Sequence, residues 1–152
     1  MTILKKLTAA CCVLLMLAVC CACGSGPAPA SSHLATATGA VDLSDAEKLG
    51  EGAHQFWFTV TFEDGSTKAY DIATDETTVG AALKALGLVE GVEGDYGLYV
   101  KEIGGQRADY NKDRVYWAFY IDGEYAMTGV DSTEIADGSV YAFVCTSADQ
   151  FN

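Results

Sequence analysis

Several things are scarce in this chain. Six cysteines occur, but five of them (Cys11, Cys12, Cys20, Cys21 and Cys23) fall within the first 23 residues. Only Cys145 lies in the later part, so no disulfide can form within it. Both prolines, Pro27 and Pro29, sit just after the cysteine cluster. Basic residues number 9 against 21 acidic ones, a formal charge of −12. Nucleic-acid binding is thereby disfavoured, since phosphate neutralisation needs clustered Lys and Arg. The two histidines, His33 and His54, offer no zinc-spaced pair and stand far in sequence from Cys145. There is no phosphate loop and no Gly-x-Ser-x-Gly nucleophile turn. Asp109-x-Asn111-x-Asp113 begins like a calcium loop, but its sixth position is Arg114 rather than Gly and its twelfth is Tyr120 rather than Glu. Glu90, Glu93 and Asp95 share a Gly-rich stretch too commonplace to argue acid–base chemistry. No metal, no cofactor and no enzymatic activity are expected.

The one long apolar run is N-terminal. Lys5 and Lys6 precede Thr8–Val19, a positive region followed by an apolar stretch too short for a permanent span. Residues 1–22 therefore read as a signal peptide. Ala22-Cys23-Gly24-Ser25 resembles the lipobox of bacterial lipoproteins, with Cys23 as the lipidated residue and Cys21 as the alternative. The resemblance implies a chain anchored to the cell membrane by lipid and facing the extracellular side. Residues 23–52, rich in Ala, Ser, Gly and Thr, bury too little apolar area to offset ordering entropy and read as a disordered tether. A short helical turn is conceivable over 43–49. Residues 53–147 then form one domain, and 148–152 a tail.

Within the domain, Gln55–Phe62 alternates, with Phe56, Phe58, Val60 and Phe62 on one face and Trp57, Thr59 and Thr61 on the other. Glu63-Asp64-Gly65-Ser66 turns the chain, and Thr67–Ile72 returns through Tyr70 and Ile72. Thr77 or Thr78 caps a helix to about Leu86, with Val79, Ala82, Leu83 and Leu86 on one face and Gly87 as its stop. Glu90–Gly97 reads as a loop, Leu98–Ile103 as a strand, and Gln106–Arg114 as a polar connection. In Val115–Ile121 the odd positions Val115, Trp117, Phe119 and Ile121 oppose Tyr116, Ala118 and Tyr120. Asp122-Gly123 and Asp137-Gly138 are turns, and Ser139–Thr146 is a second apolar strand. The expected fold class is α+β: a small β-grasp-like mixed sheet of about five strands with one packed helix. Cys145 reads as a small buried hydrophobe.

The succession Tyr-Trp-x-x-Tyr-x-Asp-Gly (116–123), Thr-Gly-Val (128–130) and Asp-Gly-Ser-Val-Tyr (137–141) resembles the transcobalamin-like C-terminal domain family, found in many bacterial surface lipoproteins. The resemblance covers roughly residues 53–147 and implies a β-grasp-like sheet with a role in binding corrinoids or similar ligands.

Aromatic residues are the remaining resource. Eight Tyr and two Trp exceed what so small a core needs. Tyr is amphipathic and loses few rotors on binding, which suits it to ligand platforms. By parity Trp57, Tyr116 and Tyr120 point away from the helix, and Tyr125 follows the Asp122-Gly123 turn at the rim. These four are the expected ligand-binding residues. The expected function is non-catalytic capture of a cobalamin-like solute for a membrane transporter. The alternative is a protein-interaction or display module working through a sheet edge or the aromatic face.

Overall fold

A computed structural model describes residues 33–36, 39–95 and 97–151, with side chains for 41–95 and 97–149. The signal peptide and Cys23 lie outside the described residues. In chain order the elements are β1 (His33–Thr36), β2 (Gly39–Asp42), β3 (Glu47–Leu49), β4 (His54–Thr61), β5 (Thr67–Thr74) and α1 (Val79–Ala85). Then follow β6 (Val89–Gly94), β7 (Gly97–Ile103), β8 (Gln106–Arg107), α2 (Tyr110–Asp113), β9 (Val115–Ile121), β10 (Glu124–Tyr125) and β11 (Val140–Ser147).

The alternation in the first long strand organises the main sheet. Phe56 and Phe58 are 0% exposed and Val60 is 1%, all on one face of β4. That strand pairs antiparallel with β5 and parallel with β11, which in turn pairs antiparallel with β9. The result is a six-stranded mixed sheet in the order β10-β9-β11-β4-β5-β3. A second, three-stranded sheet, β6-β7-β8, and α1 cover its inner face, and β1 with β2 forms a separate hairpin. The fold is mostly β, with more strands and more sheets than the expected five-stranded arrangement.

α1 starts where the sequence places it. Thr78 caps it, its hydroxyl accepting from the Ala81 amide, and Gly87 (φ 66°) ends it in the left-handed region. Val79, Ala82 and Leu83 are fully buried against Phe56, Phe58, Ile72 and Tyr141 in one core. Tyr141 brings a hydroxyl into that core, and it is satisfied: it accepts from the Ala136 amide (2.9 Å) and donates to the Glu134 carbonyl (3.2 Å).

Three expectations need correction. The stretch read as a loop, Glu90–Gly97, is largely strand β6, paired with β7 through a bulge at Glu90/Gly91. Gly91 is there because a Cβ would lie 2.4 Å from the Tyr99 carbonyl oxygen, so its glycine marks a close backbone approach rather than a flexible link. The packed unit also begins ahead of Ala53. Leu43 is 5% exposed, and Glu47–Leu49 forms β3, added parallel to β5, where a helical turn was conceivable. Phe62 is only half-buried, standing at the end of its strand with its ring edge-on to Trp117.

The Asp122-Gly123 hairpin fixes the end of the sheet nearest the candidate site. Asp122 (φ 50°) and Gly123 (φ 86°) are both left-handed, the two-residue turn that suits strand twist. Asp rather than Gly tolerates this because its carboxylate accepts from the Val140 amide (2.8 Å) and the Ser139 hydroxyl (3.1 Å).

Candidate functional site: a tyrosine row on the outer sheet face

Strand register puts Trp57, Tyr116 and Tyr120 on the sheet face opposite α1, as their parity in sequence requires. Ala142 faces Tyr120, Val144 faces Ala118 and Thr146 faces Tyr116 across the β9–β11 ladder. Between these rings the floor consists of small side chains. Thr59 and Ala118 are 1% exposed and Ala142 is 2%. Tyr116 and Tyr120 stand four residues apart along β9, about 13 Å at the rise of a strand.

Each of the two tyrosines has an edge-to-face partner. Tyr120 meets Tyr125 of β10 at 5.5 Å between ring centroids and 88° between planes. Tyr116 meets Tyr110 at 6.4 Å and 64°. The arrangement is thus a row of four rings in two pairs, with Ala118 between the pairs. Edge-to-face packing sets each ring against the quadrupole of its neighbour and holds both rings upright. The hydroxyls are close enough to feel one another. Partial burial, and then negative charge on Tyr125, Tyr120 and Tyr110, pushes the Tyr116 hydroxyl above its ordinary value.

Tyr110 was not among the expected site residues. It belongs to the stretch read as a polar connection, and the half-matching calcium motif there has another purpose. Asp109 caps the four-residue helix α2 by accepting from the Asn111 amide (3.1 Å), which folds Tyr110 back toward β9. The Arg114 guanidinium lies over the Tyr110 ring, 4.8 Å from its centroid. An Asp two residues before Asn, read as a helix cap, is the signal that finds this ring.

Trp57 shares the face but not the row. Two strand spacings separate it from β9, and its cross-strand neighbours are Asp71 and Val140. Asp71, 8% exposed, accepts from Gln55 Nε2 at 2.7 Å and has Lys48 Nζ at 3.8 Å. The Trp57 end of the face is therefore polar, and the structure brings together Tyr110, Tyr116, Tyr120 and Tyr125 without it. Tyr125, 56% exposed, also lines an open depression of about 420 Å³ with Ile121, Asp122, Glu124, Ala126 and Met127.

The ionisable groups elsewhere serve the fold. Asp137 accepts from the Gln55 amide (2.9 Å) and faces His54 Nδ1 (3.3 Å), bonds that hold its carboxyl below the usual range. Cys145 is half-buried and unbridged; burial and then the Glu63 charge push its thiol up, while Gln106 Nε2 donates to its sulfur at 3.2 Å. Among the described residues no three His, Cys, Asp or Glu side chains converge on one point. No described helix is long and apolar enough to cross a membrane.

These features define a small mixed-sheet β domain with an aromatic outer face. A domain of unknown function, DUF4430, matches residues 76–143. Among solved structures, the chain is similar to "a putative metal binding protein from Ruminococcus gnavus ATCC 29149", with 25% identity and a TM-score of 0.61, over 63% of this chain and 99% of that one. It is also similar to haptocorrin in complex with Cbi, with 17% identity and a TM-score of 0.53, over 72% of this chain. The chain spans 29% of the haptocorrin chain, and the likeness is one of fold. No curated protein matches the chain.

Proposed function

We propose that this protein is a lipid-anchored extracellular protein that captures a flat, corrinoid-like solute on its tyrosine row, without transforming it, and passes it to a membrane transporter. The observation that carries this reading is the row itself: four rings in two edge-to-face pairs on β9, α2 and β10, flanking a floor of small side chains. Rings held by one another lose little freedom when a ligand arrives, and each offers an apolar face with a hydroxyl at its tip. Haptocorrin, whose fold this chain resembles, is in complex with Cbi, which makes a corrinoid the ligand to try first. A metal ion, suggested by the description of the Ruminococcus gnavus protein, has weaker support, because the described carboxylates are dispersed. Anchoring rests on Lys5, Lys6, the apolar run to Val19 and Cys23, and non-catalytic binding on the want of any nucleophile–base pair in the sequence.

The test is a thermal-shift titration of the protein with cobinamide, haem and divalent cations. A ligand at 100 times its dissociation constant adds about 2.7 kcal/mol of stability, a shift easily read. Stabilisation by cobinamide that Tyr120→Ala abolishes is the expected result. Stabilisation by cations alone overturns the corrinoid reading, and stabilisation by none of the three overturns both.

A further inference from the structure

The tyrosine row is not uniform along its length, and its Tyr110 end carries a cation with an unusual backbone. Arg114 closes α2 at the C-cap in the left-handed conformation, φ 57°. That position ordinarily falls to Gly or Asn, because a Cβ crowds the backbone there. Among the described residues one other non-glycine residue adopts it, Asp122, whose carboxylate bonds hold the β9–β10 turn. The Arg114 side chain makes no such bond. Its backbone is pinned instead: its amide donates to the Tyr110 carbonyl (3.2 Å), and its carbonyl accepts from the Ala148 amide (2.8 Å). An arginine held where glycine fits better points to a use for its side chain.

That side chain stacks without pairing. The guanidinium lies 4.8 Å from the Tyr110 ring centroid, and Tyr110 in turn meets Tyr116. Arg114 is exposed and, among the described residues, forms no ion pair and donates no side-chain hydrogen bond. Lys48 and Lys84, by contrast, have carboxylate partners, Asp71 and Glu93. Stacking occupies the face of a guanidinium and leaves its N–H edge free. A planar fork held in one orientation suits two oxygens of a phosphate or carboxylate. Lys68 and Lys101 also stack, but over Phe62 and Tyr99, rings outside the row.

Charge is uneven along the row as well. At the Tyr110 end Lys112 and Arg114 are both exposed. Asp109 there is engaged in capping α2, and Asp113, exposed beside them, pairs with neither cation. At the Tyr125 end the exposed groups are Asp122 and Glu124. In a chain of charge −12, the Tyr110 end is where an anion meets donors. We propose that the row takes a flat ligand bearing an oxyanion at its rim, a phosphate or a carboxylate. Arg114 binds that group and fixes which way round the ligand lies, with the anion at Tyr110 and the uncharged rim toward Tyr125. This rests on ligand capture by the row, as proposed above, and names the substituent that the row selects.

The experiment titrates the full-length protein in detergent with two matched pairs of probes. Cobinamide and cobinamide phosphate differ by a phosphate, and haemin and its dimethyl ester by free carboxylates. In at least one pair the anionic member should bind about tenfold more tightly than its counterpart at low salt, and the ratio should fall as salt rises. The pair that shows the preference tells phosphate from carboxylate. Arg114→Gln removes the charge, and Arg114→Gly removes the side chain at a backbone that glycine favours, so loss of fold cannot account for both. Each should bring the ratio to about one by weakening the anionic member. Lys68→Gln, at a stacked cation off the row, should leave the ratio at its parent value. A parent ratio near one in both pairs, a ratio that survives both Arg114 variants, or an equal fall with Lys68→Gln overturns the inference, while cobinamide binding that depends on Tyr120 leaves ligand capture standing. Binding of none of the four probes overturns both.

Discussion

Tyr116 and Trp117 are neighbours in sequence on opposite faces of one strand, and truncating each in turn separates platform from core. Trp117 is 7% exposed, packs edge-on against Phe62 at 6.2 Å, and belongs to the main core. Replacing a buried Trp with Ala costs about 3–5 kcal/mol. A neighbouring cleft of about 110 Å³ lets water enter the space left behind, which holds the cost near the low end, about 3 kcal/mol. For a domain of this size that lowers the unfolding midpoint by about 12–24 °C. Tyr116 is half-buried and has one ring contact, to Tyr110. Losing an edge-to-face pair costs about 0.5–1.5 kcal/mol, so Tyr116→Ala should lower the midpoint by about 2–12 °C, centred near 6 °C. Binding should follow the reverse order. Tyr116→Ala should weaken cobinamide affinity about tenfold, since burying a ring against ligand is worth about 1.5–3 kcal/mol, whereas folded Trp117→Ala should bind it normally. Differential scanning calorimetry and a spectroscopic cobinamide titration on the two variants supply both numbers. Equal destabilisation by both substitutions would show that the outer face is core and that the platform does not exist.

Other consequences are open to measurement. Because the folded value of the Tyr116 hydroxyl lies above the ordinary 10.0, the neutral form is favoured on folding. Stability from this group is complete below pH 10 and is lost as pH rises through the folded value; tyrosinate absorbance should place Tyr116 above 10, and Tyr120→Phe should bring it down. Titration of Tyr116 at or below 10 would contradict the coupling within the row. Gly91→Ala forces a Cβ toward the Tyr99 carbonyl and should cost about 1–3 kcal/mol, read as faster amide exchange along β6; unchanged exchange would mean that the bulge is not tight. Thr78→Ala removes the cap of α1 and should cost about 1 kcal/mol in denaturant unfolding. Cys23→Ser should abolish metabolic labelling with palmitate, and label that persists and moves to Cys21 would relocate the anchor.

Local patterns were legible and distant pairings were not. Phe56, Phe58 and Val60 declared their face by alternation, and Thr78 and Gly87 bounded α1 by chemistry that acts within a few residues. The outward parity of Trp57, Tyr116 and Tyr120 followed from the same period. What parity could not supply was which strands lie side by side, so it did not show Trp57 two strand spacings away from the tyrosines. β6 was hidden because Gly91 and Gly94 look like a loop until Tyr99 is known to press on the bulge. β3 was hidden because three residues in an Ala- and Ser-rich stretch become a strand only when β5 offers a parallel edge. Tyr110 was hidden behind polar neighbours until Asp109 turned the chain beneath it.

The parallel pairing of β4 with β11 has a consequence for how the chain comes together. Trp57 and Val140 are ladder partners although roughly eighty residues separate them. Until the last strand arrives, the sheet has two unconnected parts, β3-β4-β5 on one side and β9-β10 on the other. A chain emerging from its N-terminus therefore presents hairpins with unsatisfied central edges, and closure waits for residues 140–147. The sheet therefore cannot close before Val140–Ser147 is in place, and clipping β11 should leave two fragments of sheet rather than a slightly smaller domain.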